Sequence, residues 1–400
     1  MNLNFFTAEF PFKNAETFIE NEIPIIAKSF EKINIFPHYF NNNKTHRIVP
    51  DNVNIIQLEN EKLGALSFNY KVLIVKFFIN EFFLTSKKKF YLKTYRLRLS
   101  ELKQAAIKAQ YIENNDLLLK NAVNYSFWMN EWALVLTFLK KRKVINNFIF
   151  RCGGYDIWDE RHEGNYLPFR GVIYKYANNI YPNTKLGEVY IKNKKLYPHK
   201  VKHQYFGTKD FGFGKFNKDD DFTIVSISNV IPLKRVELII DILKNVNRKV
   251  KWVHFGDGEL LEEIKIKAQN NLKHHVVEFK GRLPKFEDVL KYYIDNTVHL
   301  FISTSETEGL PVTMQEAISF GVPIMATNVG GVSEIVNNTT GYLLDKNIDI
   351  NAAANFINNF ENSVYNTLKK RKEIRRFWED NFNAEKVYLK FANELKQIAQ

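Results

Sequence analysis

Phe301-Ile302-Ser303-Thr304-Ser305-Glu306-Thr307-Glu308-Gly309-Leu310-Pro311-Val312-Thr313-Met314-Gln315-Glu316-Ala317 reads as a strand, a tight turn and the opening of a helix. The strand ends at Ser303, and Pro311 falls at the first helical position, where its missing N–H does no harm. Such a helix N-terminus faces its loop with unpaired backbone N–H groups and the positive end of its dipole. It suits a phosphate or the hydroxyls of a sugar phosphate. Glu308 lies in the loop with Gly309 and Leu310, while Val312 and Glu316 lie on the helix, so the two carboxylates can grip different parts of one elongated ligand. The spacing of two glutamates alone carries little. The strand, turn, proline and helix around them give it meaning.

Outward from this stretch the pattern is regular. Thr223 to Ser228, Lys251 to Phe255, His275 to Phe279, Val298 to Ser303 and Pro323 to Thr327 are short β-rich runs. Between them apolar residues recur at helical spacing, as at Val236, Ile239, Ile240 and Leu243, at Phe286 to Ile294, and at Val312 to Phe320. This alternation predicts an α/β fold with a parallel sheet covered on both faces, whose ligands sit beyond the carboxyl ends of the strands. Three more strand-end loops therefore join the candidate site: Ser228-Asn229-Val230-Ile231-Pro232-Leu233-Lys234-Arg235, Gly256-Asp257-Gly258 and Gly281-Arg282-Leu283-Pro284. A lysine such as Lys234 can neutralise a diphosphate that leaves with negative charge. It can also be no more than a solvated first-turn residue, although a cation at a helix N-terminus is mildly unfavourable without an anion beside it.

The first half is less regular, with Phe5 to Ala8, Ile33 to Phe36, Ile55 to Leu58 and Asn147 to Arg151 as its strand candidates among long helical stretches. A second α/β domain is expected there. Glycine and charge break the periodicity from Phe206 to Asp221, as a linker would.

Bulk properties bound the function. Four hundred residues with 45% apolar content supply core for two domains. Cys152 is the single cysteine, which excludes a disulfide framework within the chain, suits a reducing compartment and favours the cytoplasm. No basic region followed by a long apolar run opens the sequence, and Phe68 to Leu84 is interrupted by Lys71, Lys76, Asn80 and Glu81, so it fails as a membrane span. A net charge of +13 calls for an anionic partner. Part of that charge is local, in Lys87, Lys88, Lys89, Lys93, Arg96, Arg98 and Lys103, interleaved with Phe90, Tyr91, Tyr95 and Leu97. A solvated face, docking of residues 87–103 on an anionic membrane surface, and nucleic-acid binding compete for this patch. The last is weakest because no nucleic-acid module accompanies it.

The stretch from Thr223 to Leu344 resembles the donor-binding domain of the retaining glycosyltransferases of family 4, which have the GT-B fold. Glu308 and Glu316 match that family's Glu-x7-Glu pattern, Lys234 its diphosphate-binding lysine, Gly281-Arg282-Leu283 the segment that meets the base, and Asn328 to Glu334 its glycine pair. In the first half, Pro11 to Glu22, Tyr125 to Trp128, Gly154 to Ile157, Asp159 to His162 and Leu167 to Arg170 are similar to a subgroup acting in capsule, exopolysaccharide and O-antigen assembly, as is the tail from Trp378 to Tyr388.

The resemblance implies two Rossmann-like domains facing each other across a cleft: residues 1–206 for the acceptor, 207–221 as linker, 222–382 for the nucleotide sugar, and a final helix, 383–400, packing back on the first domain. It further implies retaining transfer of a hexose from a UDP- or GDP-sugar to a saccharide, lipid-linked at the inner membrane face. No metal or other cofactor is expected, and no nucleic acid. Glu308, Lys234 and Asp156 are the implied catalytic residues. Donor contacts would come from Asn229, Arg235, Gly256, Gly281, Arg282, Leu283, Gly309, Leu310, Val312 and Glu316, and acceptor contacts from Glu16, Gly153, Glu160, Arg161 and His162. Two departures stand out. Asn229 replaces the family's arginine, which would leave the diphosphate to Lys234 and Arg235, and Gly153 replaces its acceptor-side histidine. An epimerase of the same fold, or a nucleotide-sugar-binding scaffold without turnover, are the alternative readings.

Overall fold

A computed structural model describes residues 1–12, 16–39, 47–58, 64–283 and 286–399. Lys13, Asn14, Ala15 and Pro284, part of two stretches quoted above, lie outside the described residues. The chain divides into two compact units. One is Met1–Gly207 together with the stretch from Val387 on; the other is Thr208–Lys386.

The first unit holds six parallel strands: β1 (Asn2–Thr7), β2 (Ile33–Pro37), β3 (Val53–Ile55), β4 (Ala122–Ser126), β5 (Ile149–Cys152) and β6 (Asn179–Pro182), in the order β3-β2-β1-β4-β5-β6. Its register is marked by asparagines. Asn4 of β1 lies opposite Asn34 of β2 and Asn124 of β4, and Asn34 lies opposite Asn54 of β3. Asn4 Nδ2 donates to Asn124 Oδ1 at 3.0 Å, and Asn124 Nδ2 donates to the Asn147 carbonyl at 3.0 Å, so these buried amides pair with one another. Strand β3 starts two residues before the expected run. β4 and β6 were not expected at all.

Deeper in this unit, Arg151 Nη1 stands 3.1 Å from Glu22 Oε2 with both side chains fully buried. Tyr125 Oη donates to Glu22 Oε1 at 3.0 Å. Burial pushes the Glu22 carboxyl up, opposed by Arg151 and Tyr125. The rings of Phe206 and Phe391 lie 5.1 and 4.6 Å from the guanidinium carbon. Phe391 belongs to the last helix, Ala384–Ala399.

The second unit repeats the plan with β7 (Thr223–Ile227), β8 (Lys251–Phe255), β9 (Val276–Gly281), β10 (Leu300–Ser303), β11 (Ile324–Thr327) and β12 (Gly341–Leu344), ordered β12-β11-β10-β7-β8-β9 and again parallel. Strand β12 was also absent from the sequence reading. Read from its other edge, this is the same order as in the first unit. Each sheet therefore reverses its winding once, between β1 and β4 in the first and between β7 and β10 in the second. In open α/β sheets, ligands bind outside the carboxyl ends of the strands at such a reversal.

Candidate active site

Beyond β7 the chain makes one 3-10 turn, Pro232–Lys234, and Arg235 then takes a left-handed conformation with φ 46° before the helix Glu237–Leu243 begins. Beyond β10 runs the loop Thr304 to Pro311. The two loops are laced together. Glu306 N–H donates to the Leu233 carbonyl at 2.9 Å, and Thr304 Oγ1 donates to the Arg235 carbonyl at 2.8 Å. Arg235 answers from the other side, its Nε donating to the Thr304 carbonyl at 2.8 Å, Nη2 to Ser305 at 3.3 Å and Nη1 to Lys346 at 3.1 Å. Arg235 is committed to holding the loops, so the cation the loops present toward the reversal point is Lys234.

Lys234 Nζ donates to Glu308 Oε1 at 2.6 Å, with side-chain exposures of 21% and 15%. The pair thus bridges the loops after β7 and β10 at the point where the sheet reverses. The neighbouring loops close around it. Gly331 N–H donates to the Gly309 carbonyl at 2.8 Å, and Thr327 Oγ1 to the Ser305 carbonyl at 2.5 Å. At Gly330, φ is +55° and an added Cβ would stand 1.9 Å from the Glu308 carbonyl oxygen, so only glycine lets these loops touch. On the other flank, Gly256 N–H donates to the Gly281 carbonyl at 2.9 Å, Val230 N–H to Asp257 at 2.9 Å, and Arg282 Nη2 approaches Asn229 Oδ1 at 3.4 Å. The loops after β7, β8, β9, β10 and β11 are therefore tied into one hydrogen-bonded rim.

The helix Val312–Ser319 starts behind Glu308. Pro311 is its N-cap, one position earlier than expected, and no side chain caps its first turn. Leu310 is buried beneath the loop. Glu316 is buried as well; its Oε2 has no hydrogen-bond partner among the described residues, and burial pushes its carboxyl well above the usual range. A buried carboxyl oxygen left without a partner in this way costs free energy unless a ligand supplies one.

In the first unit the candidates sit on the loops after β1 and β5. Glu16 is occupied by its own loop: its carboxylate accepts the N–H groups of Ala8, Glu9 and Phe10 at 3.1, 2.7 and 2.8 Å and Trp128 Nε1 at 2.7 Å. Asp156 closes the turn Gly154–Asp156, and its Oδ2 accepts from Met129 N–H at 3.3 Å. Burial pushes its carboxyl up to about 7, against the backbone N–H groups of Met129 and Gly153 and the Arg170 charge. His162 Nε2 lies 2.6 Å from the Tyr155 carbonyl, and Tyr190 Oη donates to Glu160 at 3.3 Å. Arg161 is in a 3-10 turn, Asp159–Arg161, on the same loop. At Gly153 an added Cβ would stand 2.6 Å from Asn183 Nδ2, so a larger residue here requires the Asn183 side chain to move. Sequence reasoning missed Asn183, Thr304 and Thr327. Nothing in their local sequence distinguishes them from other polar residues at strand ends.

Residues 208–377 match the family model described as glycosyl transferases group 1. Among relatives, an uncharacterized glycosyltransferase of Methanocaldococcus jannaschii is 27% identical over 187 residues, 44% of this chain and 48% of that protein. The alpha-monoglucosyldiacylglycerol synthase of Streptococcus pneumoniae is 34% identical over 113 residues, 27% of this chain and 25% of that one. The chain thus spans about half the length of the first relative, 48%, and a quarter of the second, 25%. Among solved structures, HepE of Anabaena in complex with UDP superposes with a TM-score of 0.70 at 15% identity, over 99% of this chain and 100% of that one. The shared fold is GT-B.

Proposed function

We propose that this chain, whose residues 208–377 form a glycosyltransferase group 1 domain, moves a hexose from a UDP- or GDP-sugar to a saccharide acceptor with retention of configuration. The observation that carries the reading is the Lys234–Glu308 pair at the reversal point of the second sheet. An arriving diphosphate brings more negative charge than one carboxylate and competes for Lys234. Glu308, released, is then an acceptor for sugar hydroxyls, and Lys234 stabilises the charge that builds on the departing phosphate. The uncapped helix behind the loop adds backbone N–H groups on the same side. Glu316, buried with an unsatisfied oxygen, fits a hydroxyl of the nucleotide ribose. No metal is required in this scheme.

The first unit is proposed to present the acceptor. Asp156, with its carboxyl near 7, is suited to exchange a proton with an acceptor hydroxyl. A lipid-linked acceptor at the inner face of the cytoplasmic membrane, in surface polysaccharide assembly, accords with a relative named for a glucosyl lipid. The solved neighbour holding UDP supports the nucleotide part of the donor.

A thermal-shift panel of UDP- and GDP-sugars tests the donor. A true donor at a hundred times its dissociation constant should add about 2.7 kcal/mol of apparent stability. Stabilisation followed by anomer-retaining product, read by NMR, is the expected result. Stabilisation with no turnover on any saccharide acceptor would reduce the protein to a binding scaffold, and a panel without any shift would remove the donor site.

A further inference from the structure

The helix Phe68–Leu84 turns Tyr70, Leu73, Phe77 and Glu81 inward, which satisfies one face. Its other face is also apolar. Phe68, Val75, Ile79 and Phe83 recur at helical spacing and are 78%, 55%, 47% and 70% exposed. The next two helices, Lys88–Lys93 and Tyr95–Asn114, continue the pattern with Leu92 and Leu97, about half exposed. Exposed cations stand among these apolar groups: Lys87, Lys88, Lys89, Lys93 and Arg96. Lys88 Nζ lies 5.4 Å from the centre of the Phe82 ring. Between residues 64 and 100 the sole acidic residue is Glu81, which is buried and accepts a hydrogen bond from Tyr166 Oη at 2.6 Å. This stretch therefore offers apolar and cationic groups and no exposed carboxylate.

We infer that this face docks on the surface of an anionic lipid bilayer, with the Phe68–Phe83 stripe in the acyl boundary and the lysines among the headgroup phosphates. Single apolar side chains on a surface are ordinary; a stripe along a whole helix, rimmed by one sign of charge, is an interaction site. The helix is not a span, since no helix among the described residues is long and apolar enough to cross a membrane. Lying in the interface uses both halves of the pattern, because apolar burial and attraction to anionic lipid act together there. Other occupants fit less well. A second copy of the same face would set lysines against lysines. Nucleic acid would engage the lysines and leave Phe68, Val75 and Ile79 in water. The inference stands independently of whether the second unit transfers sugar.

Vesicle flotation of the full chain tests it, comparing phosphatidylcholine alone with vesicles carrying about 30 mol% phosphatidylglycerol. Binding should need the anionic lipid and weaken severalfold as salt rises. Phe68→Ser with Phe83→Ser should cut binding at least tenfold with an unchanged unfolding midpoint. Lys87→Glu, Lys88→Glu and Lys89→Glu together should also cut it and remove its salt dependence. The inference is overturned if the wild type does not float with anionic vesicles, if both variants float like it, or if the serine variant loses only a concentration-dependent dimer. Duplex DNA binding that survives the serine substitutions would assign the lysines to nucleic acid instead.

Discussion

Both sheets reverse at the same place in the same strand order, and a glutamate crosses each reversal point. In the first unit Glu16 is held by three backbone N–H groups and the Trp128 indole. In the second, Glu308 is held by the end of a lysine side chain. Fixed backbone donors cannot leave, so Glu16 serves to shape its loop. A lysine is a mobile point charge that a stronger anion can recruit. A glutamate at the reversal point thus serves architecture in one unit, from the loop after the first strand, and meets a mobile charge in the other, from the loop after the fourth strand.

Three substitutions test this contrast. The largest effect belongs to the exchangeable side: Glu308→Ala or Lys234→Ala should lower transfer on the order of 10²–10³-fold. Urea unfolding should meanwhile shift by less than about 1 kcal/mol, since a partly exposed pair contributes little. A comparable loss of stability would make the pair structural. Next, Glu16→Ala should cost about 3 kcal/mol, by stranding backbone N–H groups that were satisfied. Transfer per folded molecule should then stay within a few-fold of the wild type; a loss as deep as that of Glu308→Ala would erase the distinction.

The smallest effect concerns a buried carboxyl in the first unit. Burial pushes Glu81 up to about 6 from 4.5, against the Tyr166 hydrogen bond. A raised carboxyl means that the folded state holds its proton to higher pH than the unfolded state does. Stability from this group is therefore full below pH 4.5 and falls as pH rises through 6. Glu81→Gln should be more stable than the wild type by about 1 kcal/mol at pH 7, with the gain gone below the ordinary carboxyl pKa. Urea midpoints measured across that interval read the slope, and parallel curves would show that Glu81 does not titrate there.

The second sheet was legible because Phe301-Ile302 and Ile224-Val225 are short buried runs with nothing polar inside them. β4 was not, because Asn124 interrupts Ala122-Val123-Asn124-Tyr125-Ser126, and only the facing amides of Asn4 and Asn147 make such a residue acceptable in a core. β6 ends on Pro182 at the sheet edge, where a missing N–H breaks no ladder. β12 opens on Gly341, whose added Cβ would stand 1.9 Å from the Ile324 carbonyl oxygen. Each signal reads as a loop until the neighbouring strand is known. At the site, Lys234, Glu308 and the glycine turns were visible because strand ends and helix starts frame them. What Arg235 holds was not legible: sequence shows a cation beside a cation, and only the left-handed turn sends its guanidinium to three carbonyls of other loops.

The aromatic cover over Arg151 has a consequence for how the protein is made. Phe391 and Tyr388, at 4.6 and 5.6 Å, come from the last helix, while Arg151, Glu22 and Phe206 precede the whole second unit. On the ribosome, the segment from Thr208 to Lys386 must be translated before that cover exists, a wait on the order of ten seconds or more at ordinary elongation rates. Through that interval the ion pair keeps Phe127 and Phe206 but lacks the two rings of the last helix, so the half of the molecule synthesised first is the half completed last.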